Sequence, residues 1–267
     1  RLTPRATDSQ CCHAFELAID PAPTLRTTRT DYFGNELCLF SIQEVHQRLL
    51  VTTRSRVSVQ SMKPVETDPP AWETVARLFR DPVSPEDVEP YQFVFNSPQV
   101  RASFELAEYA RESFGEGVSV LAGARDLTHR IFSDFKYDPA ATTVATPLEQ
   151  VLEKRRGVCQ DFAHLAIACL RSLGLPARYV SGYLRTRPPE GKPRLVGADA
   201  SHAWFSVFCP GSGWIDLDPT NDVAPGEEHI TVAYGRDFGD VSPVAGILTG
   251  GGEHEVKVSV DVVELEQ

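Results

Sequence analysis

One stretch restricts the fold more than any other: Arg155 to Leu173, reading RRGVCQDFAHLAIACLRSL. Phe162, Leu165, Ala166, Cys169, Leu170 and Leu173 recur at helical spacing, which predicts a helix with a continuous apolar stripe. Gly174 supplies a C-terminal cap, and Pro176 forbids continuation. Such a helix must be covered by the rest of the chain. Cys159 stands in its first turn, directly after Gly157-Val158. Unpaired N–H groups and the helix dipole favour an anion there, which lowers a thiol from its free pKa of about 8.5. A lone cysteine at a helix start is more often a small hydrophobe. The rest of the chain must therefore supply a base and an orienting group before Cys159 reads as a nucleophile.

Composition limits the alternatives. The chain has 267 residues, enough for one large domain or two smaller ones. A net charge of −11 argues against nucleic acid or an anionic membrane as the main partner. No run of about 18 apolar residues predicts a membrane span, and no signal peptide is legible. The chain opens on Arg1-Leu2-Thr3-Pro4-Arg5 without Met, which does not read as a natural start. A missing N-terminal segment, a removed leader included, is compatible with that opening. The six cysteines are irregularly spaced in a chain too large for a disulfide scaffold. There is no Cys-x-x-Cys or His-x-x-x-His pair, so no structural metal is expected. Cys11-Cys12 is read as reduced strand residues without a role, and the protein as cytoplasmic.

Along the chain, residues 1–65 read as an all-β domain. Cys12–Ile19, Leu37–Phe40 and His46–Val59 are expected strands, with a tight hairpin turn around Gly34-Asn35. Residues 66–97 are rich in proline and read as a connection with a short helix at Trp72–Phe79. Residues 98–267 change to helices and then strands, an α+β layout. Ser97-Pro98 is expected to cap a helix running to about Ser113, with Val100, Phe104 and Ala107 inward. A second helix is expected from Val118 to Phe135, with Leu121, Ala124, Leu127, Thr128, Ile131 and Phe132 inward. Thr146-Pro147-Leu148-Glu149 reads as a capping box opening a helix that stops at Gly157. Ala177–Leu184, Ala203–Phe208, Trp214–Leu217, His229–Ala233 and the alternating Glu253–Leu265 are expected strands.

Two residues downstream complete a chemistry. His202 stands at the entrance to one strand and Asp218 at the end of the next. If those strands are antiparallel neighbours, the two side chains meet, and thiolate, imidazole and carboxylate can act as nucleophile, base and orienter. Alternation puts Asp216 on the same side as Asp218, so only the Pro-Thr context after Asp218 separates the two. His164, five residues past Cys159, lies about 500° round the helix and is a poor base. Asp161 reads as a complement to the helix dipole. Trp204 and Trp214 read as core, and Arg236 and Asp237 as an internal ion pair.

The succession GVCQDFAH, ARYVSGY, DASHAW and GWIDLDPTN resembles the transglutaminase-like superfamily, and within it a bacterial branch of transglutaminase-like enzymes and cysteine proteases. Asp31-Tyr32-Phe33-Gly34-Asn35 is similar to that branch's N-terminal β domain, which in the family begins with a further strand. Gly235-Arg236-Asp237 and Asp240-Val241-Ser242-Pro243 are similar to its C-terminal segment. The resemblance implies a papain-like core, helices on an antiparallel sheet or barrel, behind a small all-β domain. It implies Cys159 as nucleophile, His202 as base and Asp218 as orienter, with no cofactor. Tyr137 matches a family position and either lines the cleft or packs in a loop. Asp199 and Ser201 are expected to shape the substrate loop. The implied substrate is a peptide or protein. The reaction is hydrolysis of a peptide or isopeptide bond or, alternatively, transfer of a glutamine acyl group to an amine; a non-catalytic interaction module is the third possibility.

Overall fold

The computed structural model describes residues 1–61, 69–80, 84, 88–143, 146–186, 200–250 and 252–265. Strand β1 is Gln10–Asp20, β2 Leu25–Thr30, β3 Glu36–Ser41 and β4 Leu50–Val59. β1 pairs antiparallel with β4, and β2 with β3. The β2–β3 turn occupies residues 31–35, longer than the tight turn expected. Asp31 Oδ1 accepts the N–H groups of Phe33 and Asn35, both at 2.9 Å, and Gly34 takes φ +77°. β4 starts at Leu50, four residues later than predicted.

Helix α1 is Trp72–Leu78, followed by α2 at Val88–Tyr91 and a short 3₁₀ turn at Gln92–Val94. Val75, Phe79 and Phe93 are buried, so the stretch expected as a connection contributes side chains to the core. Helix α3 is Phe104–Arg111, much shorter than expected. Its N-cap is Ser103, whose hydroxyl accepts from the Leu106 N–H at 3.3 Å. Ser97 is instead buried and accepts from the Arg171 guanidinium. The late start leaves Phe104 in the first turn, 70% exposed.

Helix α4 is Val120–Asp134, and buries Leu121, Ala124, Leu127, Thr128 and Ile131 as its spacing demands. Phe132 is off that stripe and exposed. Strand β5 is Lys136–Tyr137, helix α5 Leu148–Lys154 and strand β6 Arg156–Gly157. The expected capping box does not form: Thr146 Oγ1 turns back to accept from the Thr143 N–H at 2.8 Å, and Pro147 takes the cap position. Arg155 ends α5 in the left-handed region, φ 52°. β5 and β6 then pair in parallel, Tyr137 opposite Gly157.

Helix α6, Cys159–Ser172, is buried from Asp161 to Arg171 without interruption. The apolar stripe seen in sequence is therefore part of a helix enclosed on every side, with α3, α4 and α5 around it and the sheet beneath. That sheet contains β7 (Ala177–Leu184), β8 (Ala200–Cys209), β9 (Gly213–Leu217) and β10 (His229–Gly235), in the order β10-β7-β8-β9, all antiparallel. Helix α7, Phe238–Val241, follows. Residues 253–265 do not form the expected strand: only Val260 carries a β-bridge, and Val256 and Val258 are exposed. Alternation expresses fitness for a pleated surface and needs a partner edge to become a ladder. Among the described residues no helix is long and apolar enough to cross a membrane.

The outer edge of β10 is covered by side chains of β1 and of the β2–β3 turn. The Gln10 carboxamide donates to Thr231 O and accepts from Thr231 N, both at 2.8 Å. The Asn35 carboxamide does the same to Tyr234, at 2.7 and 2.8 Å. Two amides thus satisfy peptide groups that a sheet edge leaves open. Asn35 is fully buried and also accepts from Arg5 Nη1 at 2.6 Å and donates to Asp31 Oδ2 at 3.0 Å. Replacing Asn35 with Leu keeps the branching at Cγ but removes the amide, and so strands these partners. The expected loss is about 3 kcal/mol in urea unfolding, since each orphaned buried group costs about 1–3 kcal/mol. A loss below about 1 kcal/mol would remove this contact from the list of those that hold the N-terminal strands to the sheet.

Candidate functional site

Two residues, Gly157 and Asp161, fix the turn that delivers Cys159. Gly157 sits in β6 where an added Cβ would meet Asp161 Oδ2 at 2.7 Å, so no larger residue fits without displacement. Asp161 Oδ2 accepts from the Val158 N–H at 2.8 Å and from Thr142 Oγ1 at 2.6 Å. It caps the first turn of α6 by hydrogen bonds, a more specific task than the dipole complement expected. Burial lifts its carboxyl above the usual range, against the pull of those two bonds. Cys159 is partly exposed, while Cys169 and Cys209 are buried and their thiols are pushed up to about 12 by burial.

His202 lies on β8 opposite Gly182 of β7, and Asp218 directly follows β9. Because β8 and β9 run antiparallel, with Phe205 opposite Leu217, the start of one meets the end of the other. His202 Nε2 lies 2.7 Å from Asp218 Oδ2. Burial disfavours a charge on His202, but the Asp218 carboxylate bonded at Nε2 and the Cys159 thiol outweigh it and raise the imidazole to about 9. The thiol and the carboxylate therefore both act on one imidazole, and Nε2 is the edge that Asp218 takes.

Asp218 is completely buried. Burial alone would push its carboxyl up, yet donors from His202, His229 and Asn221 hold it well below the usual carboxylate range. Asn221 Nδ2 reaches Oδ2 at 2.7 Å, and the Thr220 N–H reaches Oδ1 at 2.9 Å. The turn closes by backbone bonds between Asp218 and Val223, with Asp222 in the left-handed region at φ 55°. Asp216, the competitor in sequence, points elsewhere: it accepts from Trp204 Nε1 at 3.0 Å and from Ser206 Oγ.

The other residues singled out in sequence fall in different places. Tyr137 is half-exposed and pairs with Gly157, two residues before Cys159, and its hydroxyl is raised by burial and then by Cys159. Ser201 is exposed on β8, one position from His202 and so on the opposite face. Asp199 lies outside the described residues. His164 is buried, accepts from the Phe238 N–H at 3.0 Å and is pushed down to about 4 by burial, so it is no base for Cys159. Trp204 is core; Trp214 is half-buried and donates to Glu89 at 3.1 Å. Arg236 pairs with Asp240 rather than Asp237. Asp237 instead caps α7 through the Gly239 N–H at 2.8 Å.

Sequence reasoning missed His229. It is the first residue of β10, and its Nε2 lies 3.2 Å from Asp218 Oδ2. The signal available was weak: a second histidine at a strand entrance, in a strand that returns to the same sheet. Among the described residues, His202, Asp218 and His229 are the only set spaced as a metal site would require. We read them as a hydrogen-bonded cluster, because both imidazoles and Asn221 already converge on one carboxylate oxygen.

Comparison with known proteins agrees with this architecture. The family model described as "Transglutaminase-like superfamily" matches residues 107–219, and the "Bacterial transglutaminase-like N-terminal region" matches residues 1–58. An uncharacterized protein of Mycobacterium tuberculosis (strain ATCC 25618 / H37Rv) is 44% identical over 274 residues, covering 99% of this chain and 86% of that one. A protein-glutamine gamma-glutamyltransferase of Pseudomonas aeruginosa is 30% identical over 137 residues, 48% of this chain and 19% of that one. The crystal structure of a candidate cysteine protease from Cytophaga hutchinsonii shares the fold, with a TM-score of 0.62 at 24% identity over 90% of this chain and 75% of that one. The two family models, in order along one chain whose relative matches it nearly end to end, show that this protein belongs to the bacterial transglutaminase-like superfamily.

Proposed function

We propose that the protein is a cysteine-dependent amidase or peptidase that cleaves a peptide or isopeptide bond through a thioester acyl-enzyme. The observation that carries this reading is His202 Nε2 lying 2.7 Å from the buried Asp218 Oδ2, with the helix-start thiol of Cys159 acting on the same imidazole. Cys159 Sγ attacks the carbonyl carbon, and the oxygen takes up the negative charge. The Cys159 backbone N–H, at the start of α6, is placed to donate to that oxygen. The His202 imidazolium gives its proton to the departing amine as the carbon–nitrogen bond breaks. Neutral His202 then takes a proton from water as the water attacks the thioester. The acid product leaves, and thiolate and imidazolium are restored. Asp218 fixes the ring and stabilises its charge throughout.

Transfer of the acyl group to an amine shares the first half of this sequence and differs only in what resolves the thioester. The similarity to a protein-glutamine gamma-glutamyltransferase favours it as the second reading. Incorporation of a labelled primary amine into a glutamine peptide, compared with hydrolysis of the same peptide, separates the two.

Profiling wild type and Cys159→Ala against a peptide library tests the proposal. Turnover is expected to vanish in Cys159→Ala and to fall by up to about 10⁴ in Asp218→Asn, as when the orienting carboxylate of a Ser-His-Asp triad is replaced by its amide. Wild-type cleavage that survives in Cys159→Ala ends the proposal. In parallel, iodoacetamide at pH 7 is expected to modify Cys159 far faster than Cys169 or Cys209, read by peptide mass spectrometry.

The charge pair also makes a stability prediction. His202 is raised from 6.5 to about 9 in the fold, so its charge stabilises fully below about pH 6.5, and that stabilisation is lost as pH rises through about 9. Asp218 is depressed, so its contribution is present at neutral pH and is lost only in strong acid. The gap in urea midpoint between wild type and His202→Gln should be widest near pH 6 and close by about pH 10. A gap that is flat across this range would contradict a charged His202.

A further inference from the structure

β10 begins with a side chain that the reaction above leaves unused. His229 is 8% exposed, and its Nε2 reaches the same Asp218 oxygen that His202 Nε2 and Asn221 Nδ2 reach. A carboxylate oxygen only accepts, so His229 presents a proton to it from Nε2. Its other ring nitrogen, Nδ1, is buried without a hydrogen-bond partner. An orphaned buried ring nitrogen costs free energy. A leucine or phenylalanine would fill the same place without that cost, since the Trp204 ring stands edge-on at 5.3 Å and the register neighbour on β7 is Leu184. Packing does not explain a histidine here; the bond to Asp218 does.

The surroundings keep that ring in place. An added Cβ on Gly182 would lie 2.2 Å from Ile230 O and 2.4 Å from Trp204, so the bare glycine lets the indole lie across β7. The amides of Gln10 and Asn35 hold β10 from its other edge. The titratable groups acting on the cluster are few. Cys159 and Asp218 act on His202, and His202 and His229 act on Asp218, beside the neutral donor Asn221. Glu228, next to His229 in the chain, lies 3.4 Å from Arg185.

We propose that His229 is a positioning residue: its Nε2–H holds the Asp218 carboxylate toward His202 and takes part of that oxygen's accepting capacity, so that His202 is oriented without being over-stabilised as a cation. The inference rests on the Cys159–His202–Asp218 reading. Removing the third donor concentrates the carboxylate charge on His202, which then holds its proton to higher pH. Gln at position 229 keeps a terminal N–H donor; Leu does not.

The test is a proton NMR titration of the His202 ring in the full chain, for wild type, His229→Gln and His229→Leu, with the His202 signal assigned by its absence in His202→Gln. The His202 midpoint is expected to rise in His229→Leu by about half a pH unit, roughly a threefold change in its protonation constant. His229→Gln should stay near the wild-type midpoint. If His229→Leu does not fold, His229→Phe replaces it in the same comparison. A folded Leu or Phe variant that titrates as wild type overturns the proposal, and so does an equal shift in Gln and Leu. This readout needs no substrate. Failure of the hydrolase reading would appear separately, as turnover surviving in Cys159→Ala.

Discussion

A carboxylate with no exposure to water is the constraint around which the site is arranged. An isolated buried charge is among the most expensive things a fold can contain, and removing its partners is worse than never having made it. Asp218 is tolerated because its neighbours converge on it: His202 from β8, His229 from β10, and Asn221 and the Thr220 N–H from its own turn. Three successive segments of the chain, β8, the turn after β9 and the start of β10, are thereby tied at one atom. The same donors hold the carboxyl well below the usual carboxylate range, and the carboxylate in turn raises the imidazole of His202.

That convergence depends in turn on the N-terminal strands. β10 is the outer strand of the four-stranded sheet among the described residues, with peptide groups that its neighbour β7 does not use. Gln10 and Asn35 satisfy those groups with side-chain amides, each donating and accepting as a neighbouring strand would. The N-terminal region therefore touches the outer strand of the sheet that carries His229, through Gln10 and Asn35. At the other end of the site, Gly157 packs closely against Asp161, whose carboxylate holds the Val158 N–H just before Cys159.

The helix around Cys159, its partners His202 and Asp218, and the four strands of the sheet were legible because each rests on a local signal: an apolar period, a glycine cap, or polar residues at strand ends. Where local signals competed, they misled. Ser97-Pro98 has the chemistry of a cap, but the Ser97 hydroxyl serves buried Arg171 and Ser103 caps α3. Thr146 has the chemistry of a capping box, but bonds backward to Thr143. The valines of residues 253–265 alternate cleanly, yet only Val260 carries a bridge. In each case the group was suited to a role, and the availability of a partner decided otherwise.

By itself the sequence determined the chemistry: a thiol at a helix start, an imidazole and a carboxylate at strand ends, and the apolar helix that must be enclosed. Those follow from residue type and from periods of 3.6 and 2. Only the tertiary structure decided which carboxylate faces the imidazole. Asp216 and Asp218 share a strand face, but Trp204 and Ser206 claim the first, leaving the second for His202. The fold alone also brought His229 to the same oxygen, since the register of β10 against β7 couples residues more than ten positions apart and no local pattern carries that distance.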